Sequence, residues 1–235
     1  MGKLVLGSGG IFFENESDPI IDHIISLLGD KPRKSFIYLP TGGHDTKEDE
    51  ETVRDYCTRH GFGSVRSLYL SDETLTYEEI KEAILGADII YAGGGNLRFI
   101  LDTWRRRGAD ILLKKAFENG TVIAGQSSGA MCWCRTGYDN CGPNGAFIFL
   151  KGLDLIPYVL CPHFEDWPEF LTDVKKQPLD ALGVDNDIVI SIVDGDYTVV
   201  DSGRNPAHTA YFMPSGNDWK PVDIMRNHVT LHDLP

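Results

Sequence analysis

Four times in this chain a short apolar run ends in a glycine-bearing turn, and a helical pattern follows the turn. The runs are Lys3 to Leu6, Lys34 to Leu39, Asp88 to Ala92 and Thr121 to Ile123. Their turns carry Gly7-Ser8-Gly9-Gly10, Pro40-Thr41-Gly42-Gly43, Gly93-Gly94-Gly95-Asn96 and Gly125-Gln126-Ser127-Ser128-Gly129. A run that is apolar throughout has no face to give to water. Strands separated by helical stretches imply a parallel sheet, because parallel neighbours need a crossover connection between them. Together these constraints leave an α/β fold, a mostly parallel sheet sandwiched by helices. In such sheets chemistry collects at the carboxyl ends of the strands, where these glycine turns lie.

Helical spacing fills the intervals. Asp18 to Leu28 places Ile20, Ile21, Ile24, Ile25 and Leu28 on one face, and Lys47 to His60 reads as a charged surface helix. Tyr77 to Leu85 is amphipathic, and two helices fill Asn96 to Arg107 and the stretch up to Asn119. Ser64 to Leu70 supplies a further strand. Beyond about residue 145 the pattern changes. Val189 to Val193 and Tyr197 to Asp201 flank Asp194-Gly195-Asp196, a hairpin signal, and His208 to Met213 supplies another strand. These read as an antiparallel C-terminal extension of the same sheet. With no linker or repeat in 235 residues, residues 1–235 are expected to form a single α/β domain.

The formal net charge of −13 argues against nucleic acid or an anionic membrane as partner, and an acidic substrate would need a local basic pocket. Met1 leads straight into a strand without an apolar signal region, which points to the cytoplasm. Five cysteines (Cys57, Cys132, Cys134, Cys141 and Cys161) are expected to be free thiols. Cys132, Cys134, Cys141 and Cys161 with His163 fit no paired-ligand spacing, so no metal is expected. Cys132 and Cys134 read as part of a buried helix. The first glycine turn has Phe12 where a dinucleotide fingerprint needs its third glycine, so no cofactor is expected either.

Three stretches carry chemistry. Gly125-Gln126-Ser127-Ser128-Gly129 fits G-x-S-x-G between a strand and a helix, the context that holds a nucleophilic serine at the tip of a sharp turn. Ser127 is the candidate nucleophile, and the N–H of Ser128 is placed to meet a developing oxyanion. The N–H groups of Gly94 and Gly95 can form the other half of that hole. His163, on a loop after Val159-Leu160, is the candidate general base.

In their order and spacing, Gly93-Gly94-Gly95-Asn96, Gly125 to Ala130 and Pro162-His163-Phe164 resemble the peptidase E (aspartyl dipeptidase) family. The resemblance covers essentially the whole chain. It implies a class I glutamine-amidotransferase-like fold and a serine peptidase that cleaves short peptides through an acyl-enzyme. By the same resemblance Ser127 is the nucleophile, His163 the base, and the glycine run with Ser128 the oxyanion hole. The chain departs from the family twice. Where the family's triad aspartate falls, this chain has Tyr138-Asp139-Asn140-Cys141-Gly142-Pro143, with Cys141 at the aligned position. Asp139 is the nearest carboxylate and the expected third member. Glu165 is the alternative and Asn144 a neutral orienter. After the histidine stands Glu165-Asp166-Trp167-Pro168-Glu169, without the arginine the family offers to an acidic side chain. Two rivals share the scaffold. One is an amidase or glutaminase-like hydrolase, which would use a cysteine at the elbow, and the other is a non-catalytic binding protein. The expected partner is a short peptide or amide, and the sequence leaves a homodimer open.

Overall fold

The computed structural model describes residues 2–9, 19–31, 34–216 and 220–225. In chain order the elements are β1 (Lys3–Gly7), α1 (Pro19–Ser26), β2 (Lys34–Leu39), α2 (Glu50–Arg59), β3 (Phe62–Ser67), α3 (Tyr77–Leu85) and β4 (Ile89–Ala92). Then come α4 (Leu97–Arg107), α5 (Ala109–Glu118), β5 (Val122–Gln126), α6 (Ser128–Met131), β6 (Cys134–Asp139), β7 (Ile148–Lys151) and β8 (Ile156–Pro162). The chain continues through α7 (Phe170–Asp173), β9 (Ala181–Val184), β10 (Ile188–Val193), β11 (Asp196–Asp201), β12 (Ala210–Met213) and β13 (Val222–Asp223).

The first sheet has seven strands in the order β11-β10-β1-β5-β4-β2-β3. Its five central and distal strands run parallel, and β10 and β11 are added antiparallel at the β1 edge. Alternate residues leave opposite faces of a strand, and here both sets are buried. Leu4, Leu6, Ile37, Leu39, Ile90 and Ile123 pack with Ile80, Ile100 and Trp104 on one side. Val5, Phe36, Tyr38, Tyr91, Val122 and Ala124 pack with Ile20, Ile24, Val53 and Tyr56 on the other. That double burial is why these runs carry no polar alternation. Helix termini follow their local chemistry. Thr76 and Glu79 make a reciprocal capping box at α3, and Asn96 Oδ1 accepts the Phe99 N–H at the start of α4.

The C-terminal part departs from expectation. The Val189–Asp201 hairpin does extend the first sheet, as β10 and β11. The strand expected at His208 to Met213 begins at Ala210 and does not join that sheet. It lies in a second, six-stranded sheet of order β13-β12-β9-β8-β6-β7. The helix expected around Ala130 to Cys134 is also shorter, because α6 stops at Met131 and Cys134 already opens β6 of the second sheet. Cys132 and Cys134 are nonetheless fully buried, and burial pushes both thiols up. The expected first residue of α1, Asp18, and the turn residues Gly10 and Phe12 lie outside the described residues.

Short α6 joins the two sheets, since it packs on β5 of the first and on β6 and β8 of the second. Trp133, just beyond it, fixes the join: its indole N–H donates to Ala124 O of β5 at 3.1 Å, and its ring lies 5.0 Å from Trp104. The loops after β1, β4, β5, β8 and β9 are thereby gathered at one end of the molecule.

Candidate active site

Ser127 sits between β5 and α6 with φ 52° and ψ −127°. A side-chain-bearing residue in that region costs about 1–3 kcal/mol, which the surroundings must offset. Several contacts do so. The Ser127 N–H is within reach of Gly7 O at 3.0 Å and Ser8 O at 3.1 Å, and its carbonyl accepts from Ala130 and Met131. The flanking glycines allow the turn to close. A Cβ on Gly125 would lie 2.2 Å from Gly129 O, and one on Gly129 would lie 2.2 Å from Ala92 O. No other residue fits either place.

His163 follows β8 with its own φ at 50°. Its Nε2 lies 2.9 Å from Ser127 Oγ. Its Nδ1 lies 2.7 Å from Asn186 Oδ1, an oxygen that also accepts the Gly9 N–H at 2.9 Å. A backbone N–H can only donate, so the Asn186 atom facing both groups is the carbonyl oxygen, and Nδ1 must carry the ring proton. Nε2 is then the unprotonated nitrogen, directed at the serine hydroxyl. The His163 backbone N–H donates to Ser8 Oγ at 2.6 Å, tying the β8 loop to the β1 loop.

The third partner is therefore Asn186, in the Asp185-Asn186-Asp187 turn between β9 and β10, and not Asp139. Asp139 lies buried at the end of β6, where Oδ2 is 2.6 Å from Ser128 Oγ and Oδ1 accepts the Cys141 N–H at 2.8 Å. The bulged pairing of β6 with β8 does not carry it to the imidazole. Glu165, the alternative carboxylate, accepts the Asn186 backbone N–H at 2.9 Å and so stands behind Asn186. Asn144, the neutral alternative, lies in a short turn after β6 with φ 58°. Asn186 had one signal in the sequence, a polar triplet directly after the apolar run Ala181 to Val184, at a strand's carboxyl end.

Gly94 lies against the elbow, since a Cβ there would be 3.2 Å from Ser127 Cβ. Gly95 has φ 130° and packs so closely on Gly42 that a Cβ would meet its carbonyl at 2.0 Å. Among the described residues, none accepts a hydrogen bond from the N–H of Gly94, Gly95 or Ser128. The Ser128 hydroxyl is 2.7 Å from Gly95 O as well as 2.6 Å from Asp139. It bridges the glycine run to the elbow.

These groups open into a cleft of about 370 Å³ lined by Gly9, Tyr38, Thr46, Asp49, Gly94 and Gln126 besides Ser127 and His163. Two other surface hollows, one beside Arg105 and Lys114 and one beside Tyr77 and Arg106, contain no serine–histidine pair. Among the described residues no cluster of three His, Cys, Asp or Glu side chains is arranged to hold a metal ion. No helix among them is long and apolar enough to cross a membrane.

Known proteins share this architecture. An uncharacterized peptidase of Bacillus subtilis, YgaJ, is 31% identical over 169 residues, covering 69% of each chain. Peptidase E of an Escherichia coli O6:K15:H31 strain is 24% identical over 218 residues, 86% of this chain and 91% of its own. A peptidase from an acI-B1 actinobacterium superposes with a TM-score of 0.70 at 19% identity over 94% of both chains. A putative peptidase E of Listeria monocytogenes gives 0.62 at 19% identity, over 86% of this chain and 98% of that one. The model of peptidase family S51 matches residues 4–201. With that match, and a strained serine facing an imidazole at the sheet's carboxyl end, the chain belongs to peptidase family S51 and is a serine peptidase.

Proposed function

We propose that the protein hydrolyses short peptides, in the manner of a dipeptidase, through an acyl-enzyme on Ser127. The observation that carries this reading is the 2.9 Å contact between Ser127 Oγ and an Nε2 whose tautomer makes it an acceptor. Ser127 Oγ attacks the scissile carbonyl carbon while its proton passes to Nε2. The oxyanion of the tetrahedral intermediate is held by the N–H groups of Gly94 or Gly95 and Ser128, each donor worth about 3 kcal/mol in related chemistry. The C–N bond then breaks as the imidazolium returns the proton to the leaving amine. Water, deprotonated by His163, attacks the acyl carbon and frees Ser127.

Asn186 takes the orienting role in this scheme. It fixes the ring and the tautomer without supplying a full negative charge. The transient imidazolium is stabilised by the amide dipole, with the Glu165 carboxylate one residue behind it. The amidase rival is disfavoured at the elbow itself, because Ser127 stands where a cysteine would be needed and the buried Cys132 and Cys134 thiols are pushed well above their ordinary range.

The test is turnover of a dipeptide and isopeptide library by the wild type and Ser127→Ala in parallel. The expected result is release of free amino acids by the wild type and a loss of several orders of magnitude in the variant. Equal turnover by both proteins would contradict the proposal.

A further inference from the structure

The cleft beside Ser127 has a charge of its own. Among its described lining residues, Asp49 is the carboxylate and no lysine or arginine is present. Asp49 sits at the N-cap position of α2, yet its side chain makes no capping hydrogen bond. Among the described residues no ion pair or hydrogen bond engages its carboxylate. Lys47, two residues before it, lies instead over the Tyr69 ring, 5.5 Å from the centroid. The nearby Tyr38 hydroxyl registers this field. Burial first, and the Asp49 carboxylate next, push it up to about 12.

The wall that bears Asp49 is joined to the proposed oxyanion donors. The Asn96 N–H donates to Gly42 O at 2.9 Å, and Gly95 packs against Gly42. Thr46 and Asp49 follow Gly42 and Gly43 in the same segment and line the same cleft. A leaving amine must lie on the His163 side to receive its proton. The Asp49 segment instead adjoins the proposed oxyanion donors, which assigns it to the acyl part of the substrate.

We propose that Asp49 is a specificity residue that receives a positive charge on the acyl-side residue of the substrate, so that the enzyme favours cation-bearing peptides over acidic ones. This deepens the peptidase reading and rests on it. The chemistry is an ammonium or guanidinium group, supplied either by a free N-terminus or by a basic side chain. An acidic acyl residue would bring a second carboxylate into a cleft without a described cation, on a chain of net charge −13.

Four p-nitroanilides separate the sources: alanyl, with a free ammonium; acetyl-alanyl, with no charge; acetyl-lysyl, with only a side-chain cation; and acetyl-aspartyl. In the wild type, kcat/KM should rank a cation-bearing substrate above acetyl-alanyl, and acetyl-aspartyl last. In Asp49→Asn the ratio of cationic to acetyl-alanyl kcat/KM should fall up to about fivefold, mainly through KM, as expected for one ion pair on an exposed carboxylate. Asp49→Lys should reverse the preference towards acetyl-aspartyl. A loss confined to the alanyl substrate assigns the ammonium of the N-terminus, and a loss confined to acetyl-lysyl assigns the side chain. Ratios unchanged in both variants, with all activity still abolished by Ser127→Ala, would overturn the role of Asp49 alone. If the wild type turned over no substrate faster than Ser127→Ala, the peptidase reading would fall and this inference with it.

Discussion

The His163 imidazole is held by two oxygens of different kinds, a serine hydroxyl on Nε2 and an amide on Nδ1. Removing the amide leaves the Nδ1–H and the Gly9 N–H without an acceptor. Asn186→Ala should therefore lower kcat by about a hundredfold or more while changing KM little. Asn186→Asp should retain activity. Its carboxylate stabilises the imidazolium, so the pH at which the rate reaches half its plateau should move upward, as a pH–rate profile would show. Asp139→Asn makes the contrast. An amide oxygen can still accept from Cys141 or Ser128, so kcat should stay within about tenfold of the wild type. Ser128→Ala has a different signature. It keeps the proposed oxyanion N–H but leaves Oδ2 of the buried Asp139 without the Ser128 hydroxyl, with Oδ1 still accepting from Cys141. Denaturant unfolding should then show a loss of about 1–3 kcal/mol. If Asp139→Asn lost activity and Asn186→Ala did not, the assignment of the orienting residue would be reversed.

At the scale of elements, the turn between β9 and β10 does more than present Asn186. Asp185, 4% exposed, accepts the Thr209 N–H at 3.0 Å and has Glu165 beside it. Burial, opposed by that N–H and reinforced by Glu165, pushes its carboxyl up from 3.8 to about 6. A carboxyl raised on folding binds its proton more tightly in the native state. Its contribution to stability is complete below pH 3.8 and is lost as pH rises through about 6. Asp185→Asn should remove that loss, so its melting temperature relative to wild type should be higher at pH 8 than at pH 4. A constant difference would contradict this account. The same turn marks where sequence reading stopped. β1, β2, β4 and β5 were legible because strands buried on both faces read as continuous apolar runs. The elbow was legible because only glycine fits at Gly125 and Gly129. The second sheet was not, because nothing local distinguishes β12 joining β9 from β12 joining β10. Asn186 was missed for a related reason. Its role depends on β8 and β9 pairing in parallel, which brings residues 163 and 186 together across a register that local patterns do not encode.

For the whole molecule, membership of peptidase family S51 and the fold shared with known peptidases describe the scaffold. The charge describes what approaches it. A net charge of −13 with a carboxylate in the cleft should draw cationic substrates by long-range attraction. For a cation-bearing substrate kcat/KM should fall as ionic strength rises, and for an uncharged one it should stay nearly flat. Parallel salt dependences for both would argue against steering by this field. The proposed chemistry requires Ser127 to be a nucleophile activated by His163. A fluorophosphonate tests it most directly, with the modified residue located by peptide mass mapping. The expected result is stoichiometric labelling of the wild type on Ser127, and labelling slowed by orders of magnitude in His163→Ala. An unlabelled wild type, or a label carried on Ser128, would contradict it.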